Sequence, residues 1–312
     1  MPPEPPPGEI DVSYTGIKTA WIPSGAFAMG SPETEIGRHD NEGELRQIRL
    51  SSGFWMAVHP VTQEQWEAVM GGNPSHFHSN PAAGEEQGRR PVENVSWFDA
   101  LVFANRLSEI AGFSPAYKIN GSADPDDWGD VPTGAGHANF AAWSAVEIAY
   151  GSTGYRLPTE AQWEAAARAG TGTAFSSGEE DWTAQESLDE IGWFSFNAEG
   201  ATREVGLKKP NPWGLHDVHG NVWEWVRDWF AEYPALYAAA NAENGYAAAN
   251  AYEADPVGAA WGTTRSLRGG SWLSPAHAAR SASRSSASPF VRGGIVGLRL
   301  SRPWDPQMEP EE

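Results

Sequence analysis

Apolar residues fall at helical spacing in three stretches of this chain, and each stretch opens on a hydroxyl side chain. Thr62 stands three residues before Gln65, a capping-box pair, and Trp66, Val69 and Met70 then line one face up to Gly71. Ser96 and Asp99 open the second stretch, with Phe98, Leu101, Val102, Asn105 and Leu107 following until Gly112. Thr159 and Gln162 open the third, which runs through Trp163, Ala166 and Ala167 to Gly170. Elsewhere the apolar runs are too short for helices. Trp21 to Gly30 reads as a strand, a turn and a second strand, and Gln47–Leu50 and Phe54–Val58 continue the strand content.

The rest of the pattern sets the boundaries. Residues 1–16 form a flexible Pro-rich lead, 17–304 a single domain and 305–312 an acidic tail. Within the domain, residues 113–152 show little periodicity around the turn-forming Asp124-Pro-Asp-Asp-Trp-Gly-Asp130 and read as an insertion. Residues 232–260 are rich in Ala, Asn and Tyr, with a near-repeat at Tyr237 and Tyr246. They read as an exposed loop with a helical turn, or as a segment bordering a binding site. No long-period repeat points to a solenoid.

Composition sharpens this to a loop-rich α+β protein. Gly (34) and Pro (24) are abundant while charged residues are only 20%, which argues against a helical bundle. The 16 Trp are expected mostly in the core, where their rings cover short elements and their N–H groups find acceptors. A net charge of −20 argues against nucleic acid, which needs clustered Lys and Arg. The N-terminus lacks the basic and apolar regions of a signal peptide, and no apolar run is long enough to span a membrane. Location is left open between the cytoplasm and a phage or cell surface after processing.

Several chemistries are excluded. The chain has no Cys, so disulfides, thiolate metal sites and thiol catalysis are all closed to it. No nucleophile elbow and no phosphate-binding loop occurs. The eight His show no zinc spacing and no facial triad; His76 and His78 read as surface residues, and His216 and His219 sit in a Gly-containing turn.

The motifs Gly214-Leu-His-Asp-Val-His-Gly-Asn-Val-Trp-Glu-Trp225 and Leu267-Arg-Gly-Gly-Ser-Trp272 resemble the formylglycine-generating, or sulfatase-modifying, family. Ile22–Ser31, His59–Trp66, Arg90–Ala100 and Tyr155–Gly170 also resemble its landmarks, in order, over about residues 17–303. The resemblance implies a variant of the C-type lectin fold. In the copper enzymes of the family thiols bind the metal, and a chain without Cys cannot run that chemistry. The resemblance also implies a structural Ca²⁺, with the Asp217 and Glu224 carboxylates and the backbone oxygens of Gly220 and Val222 as ligands. The alternative is that Asp217 and Glu224 serve internal hydrogen bonds without a metal.

The C-terminal stretch keeps what resembles the family's framework: Gly269, Gly270, Trp272, Arg280, Ala282, Arg284, Pro289, Arg292, Gly297 and Arg299. Between these stand small or unrelated fillers: Leu273, Ser274, Ala276, His277, Ser281, Ser283, Ser285, Ser286, Phe290, Gly293 and Gly294. A fixed frame with unconstrained fillers resembles the variable proteins of diversity-generating retroelements, which place a ligand-facing variable region near the C-terminus of this fold. The resulting expectation is a ligand-binding display protein whose eleven fillers contact a protein or cell-surface ligand and tolerate substitution. Two alternatives stand beside it: a non-variable interaction module, and a cysteine-free oxidoreductase.

Overall fold

The computed structural model describes residues 16–43, 45–149, 151–178, 185–232 and 252–304. The Pro-rich lead up to residue 15, the acidic tail and both copies of the Tyr-Ala-Ala-Ala-Asn near-repeat lie outside these residues. In chain order the regular elements are β1 (Thr19–Ile22), β2 (Gly25–Met29), β3 (Arg46–Leu50), β4 (Phe54–Ala57), α1 (Gln63–Met70), α2 (Trp97–Ile110), β5 (Tyr117–Lys118), α3 (Phe140–Ser144), β6 (Glu147–Ile148), α4 (Glu160–Arg168), α5 (Gln185–Ile191), β7 (Trp223–Trp229), β8 (Glu253–Ala254), β9 (Arg265–Arg268), β10 (Arg284–Ala287), β11 (Val296–Leu298) and β12 (Ser301–Pro303). Short helices and strands joined by long irregular segments make this the α+β, loop-rich arrangement expected.

The three capped helices form where their hydroxyl residues place them. Thr62, Ser96 and Thr159 each accept from the backbone N–H three residues on, and the Gln65, Asp99 and Gln162 side chains return the bond. Gly71 ends α1 in the left-handed conformation. At the end of α4 that role falls to Ala169 (φ 48°), one residue before the expected Gly170.

Sheet pairing departs from the local reading. β1 and β2 are not a hairpin: β1 pairs with β4, whereas β2 pairs with β3. The sheets are ordered β1-β4-β12, β10-β9-β7-β11 and β2-β3-β8, with a small β5-β6 pair. β11 runs parallel to β7, setting Gly297 opposite Glu224, and β12 lies antiparallel to β4.

Residues 113–152 are no appendage. Phe113, Tyr117, Ile119, Trp128 and Trp143 sit in the main core with α2. Their lack of periodicity reflects short elements that each contribute one or two large rings. Among the described residues nine Trp are buried, while Trp261 and Trp304 are exposed. A second core packs α4 against β2, β3 and β4.

Candidate ligand-binding surface

The C-terminal third is held by arginines whose partners are remote in sequence. Arg268, at the end of β9, donates to Glu164 and to the carbonyls of Ser281 (2.9 Å), Ala282 (2.9 Å) and Ser283 (2.7 Å). Arg280 meets Glu35 and Glu42 and donates to the carbonyls of Gly37 and His277. Arg284 makes a two-pronged bond to Glu160 (2.6 and 2.8 Å) and reaches the Asn41 carbonyl. Burial alone would raise the Glu160 carboxyl, but Arg284 and then Arg268 hold it below the usual carboxylate range. The Glu42 carboxyl is likewise lowered by Arg280 against the effect of burial.

Four of these bonds end on carbonyls of the segment itself, those of His277, Ser281, Ala282 and Ser283, so its path there is fixed without using filler side chains. Three more contacts act in the same way. Trp272 Nε1 donates to the Gly294 carbonyl (2.7 Å), Asn94 N–H to that of Gly293 (3.0 Å) and Trp97 N–H to that of Pro289 (3.0 Å). Buried His219 completes the set. Its Nε2 accepts from Ser176 N–H, so Nδ1 carries the proton and donates to the Ala279 carbonyl at 2.8 Å. Burial depresses its pKa to about 4, which keeps the ring neutral near pH 7.

The eleven fillers divide by exposure. Leu273 is 57% exposed, and His277, Ser285, Ser286, Phe290, Gly293 and Gly294 are half-buried. Ser274, Ala276, Ser281 and Ser283 are buried, which corrects the expectation that all eleven face a ligand and that Ser274 and Ser283 accept substitution freely. Ser274 Oγ receives the Ser271 N–H, and Ala276 packs with Phe175, Leu188 and Phe194. Polar letters and small size suited these four positions to a surface equally well as to tight interior turns. The framework is also less uniform than expected: Trp272 is half-buried, and Arg292 is exposed while pairing with Asp99.

The glycines separate by geometry. No heavy atom lies within 4 Å of a Cβ built on Gly293, and one on Gly294 would meet only ordinary contacts with Glu93, His76 and Phe77. On Gly297 it would fall 2.4 Å from the Val92 carbonyl oxygen, and Gly270 combines φ 79° with a 2.9 Å approach to the Ala278 carbonyl oxygen. The filler glycines therefore have room for side chains and the framework glycines do not.

Residues not foreseen as part of this surface complete it. The Phe77 ring stands edge-on to Trp272 at 5.2 Å, beside exposed His76. Beneath them the buried Glu93 accepts from Phe77 N–H, and burial raises its carboxyl above the usual range. An aromatic between two histidines in a polar loop is the only trace of this in the sequence. On another part of the segment His277 lies against His39, with ring centres 5.3 Å apart, and Phe290 packs on Phe140 of α3.

The Asp217–Glu224 turn does not fit a calcium ion through the four expected ligands. Both Glu224 oxygens are taken by Arg299 (2.9–3.1 Å), and one also accepts Trp163 Nε1–H at 2.6 Å. Asp217 accepts the Gly206 N–H, and the Gly220 carbonyl accepts the Val222 N–H. Burial raises the Asp217 carboxyl. Both carboxylates serve internal hydrogen bonds. No helix among the described residues is long and apolar enough to cross a membrane.

Comparison with known proteins agrees with this architecture. The chain matches the Sulfatase-modifying factor enzyme 1-like domain over residues 10–303. It is similar to the solved structure of Treponema denticola variable protein 1, with 33% identity and a TM-score of 0.75 over 92% of this chain and 95% of that one. It is 28% identical to the formylglycine-generating enzyme of Thermomonospora curvata, over 90% of this chain and 91% of the enzyme. It is also 35% identical over 196 residues to the chaperone protein LppX of Paenibacillus barcinonensis, a match spanning 57% of this chain and 63% of LppX, under two thirds of either.

Proposed function

We propose, for a chain that belongs to the sulfatase-modifying factor enzyme 1-like family, that it is a ligand-binding display protein rather than a catalyst. The observation that carries this reading is the likeness to a variable protein over more than nine-tenths of both chains. The local geometry supports it. Framework side chains hold the C-terminal backbone through its carbonyls, and the exposed fillers make few contacts that a substitution would break. Ligand contact then falls to loop residues on a rigid scaffold.

The contact surface is narrower than eleven residues. It comprises Leu273, His277, Ser285, Ser286, Phe290, Gly293 and Gly294, with Trp272 and Phe77 as aromatic anchors. The ligand is a protein or a cell-surface molecule. With small residues at most of these positions, this copy binds weakly until larger side chains occupy them. Thiol-dependent copper chemistry is closed to a chain without Cys.

The test is to sequence the 3′ end of the gene across a natural population. Substitutions concentrated at the codons of these seven fillers, with Arg268, Arg280, Arg284 and Gly297 unchanged, are expected. Variation that is absent, or spread equally over frame and fillers, would overturn the reading.

A further inference from the structure

A cleft of about 340 Å³ opens between the β4–β12 edge, the start of α4 and the segment after β8. It shares no lining residue with the surface described above. Arg156 and Arg227 both line it. In a chain with 41 acidic residues against 21 basic ones, an arginine readily finds a carboxylate. The other fifteen arginines each make a side-chain hydrogen bond, an ion pair or a ring contact. Among the described residues, Arg156 and Arg227 make none, although both are half-buried. Arg156, partly desolvated, also feels the positive charge of Arg227.

Their backbones are fixed. Arg156 exchanges two bonds with Ser301, and Arg227 N–H donates to the Pro158 carbonyl. Asp228, next along β7, accepts the Glu160 N–H and lies against Gly258, where the Arg227 charge partly offsets the burial of its carboxyl. Asp255, the acidic group on the cleft wall, is bound by Ser51 through both its N–H and its hydroxyl. Gln162 adds a donor: its Oε1 caps Thr159 N–H, leaving the amide nitrogen with no partner among the described residues. Val257, Pro303 and Trp304 supply apolar walls.

We propose that this cleft binds an organic oxyanion, a carboxylate or phosphate monoester with an apolar body, clamped by Arg156 and Arg227 against Val257 and Trp304. Two guanidinium forks held on rigid backbone match the planar or tetrahedral oxygens of such a group. An anion held between the two guanidinium groups offsets their mutual repulsion.

The test is calorimetric titration of the full chain with benzoate, phenyl phosphate and inorganic phosphate, each in anion-poor buffer. Saturable binding of benzoate or phenyl phosphate is expected, weakened about tenfold or more by Arg156→Gln and by Arg227→Gln. Val257→Ser should weaken the aromatic probes more than inorganic phosphate. Preference for benzoate identifies a carboxylate ligand, and preference for phenyl phosphate a phosphate ester. The proposal is overturned by no saturable binding at millimolar probe, or by binding that both Gln variants leave unchanged.

Discussion

Gly293 and Gly297 are four residues apart and identical as letters, yet the fold uses them for opposite purposes. At Gly293 a Cβ enters open space, whereas at Gly297 it strikes the Val92 carbonyl oxygen on a buried strand. Gly293→Ser is therefore expected to shift stability by less than about 0.5 kcal/mol. Gly297→Ala should cost about 1–3 kcal/mol through overpacking, and urea unfolding of the two variants measures both. Similar melting of the two would contradict the division between frame and filler. Asp228 offers a different residue-scale test. Its carboxyl is pushed up to about 7, chiefly by burial, offset in part by Arg227 and reinforced by Glu160. The unfolded value lies near 3.9, so between about pH 4 and 7 the folded chain binds the extra proton. This group's contribution to stability then falls as pH rises through that window and stays lost above it. Asp228→Asn should gain on the wild type progressively from about pH 4 to about pH 7, with a constant difference beyond. A pH-independent difference in urea midpoint would refute this. His219 acts in the opposite sense, losing stability as pH falls from about 6.5 toward 4, so the variant-minus-wild-type difference is the informative quantity.

The elements that were legible in the sequence are those set by neighbours three or four residues away. Each capping box encloses its own evidence, and all three helices start at the expected hydroxyl. Strand existence was legible at Phe54–Ala57 and Arg46–Leu50, but partners were not, because pairing is decided by residues far along the chain. The two opening strands look like a hairpin yet enter different sheets. In the binding segment the frame was legible, but which fillers face outward was not. Ser274 and Ser283 look like surface serines until Arg268 and Ser271 are seen folding the backbone over them. The α4 cap makes a test at this scale. Thr159→Ala should cost about 1 kcal/mol of global stability, about the same as Thr62→Ala, as read from denaturant midpoints. It should also loosen Glu160 and Glu164, whose helix presents them to Arg284 and Arg268, and amide exchange at residues 281–284 should rise in Thr159→Ala but not in Thr62→Ala. Equal exchange in the two variants would separate the cap from the binding segment.

Across the whole molecule, stability rests on buried charge pairs that join distant parts of the chain. Glu164 illustrates the stakes: its carboxylate receives Gly30 N–H, Arg168 and Arg268, with no exposure to water. Truncating Arg268 to Ala should cost about 3–5 kcal/mol, because a buried carboxylate loses a partner. Replacing Leu273 with Ser should leave the melting temperature nearly unchanged. A modest loss in Arg268→Ala, measured by thermal unfolding, would show that water can replace the guanidinium. The pairs also have a direction along the chain. Arg268, Arg280, Arg284 and Arg299 all follow residue 264, and their partners Glu35, Glu42, Glu160, Glu164 and Glu224 all precede it. During synthesis the ribosome delivers the acids first, and their pairs with these four arginines close only once residues 268–299 emerge. A copying error that shifts the reading frame within that last stretch would leave the earlier acids without partners. Such a product is expected to be destabilised and open to proteolysis, whereas an in-frame change at an open position leaves the pairs intact.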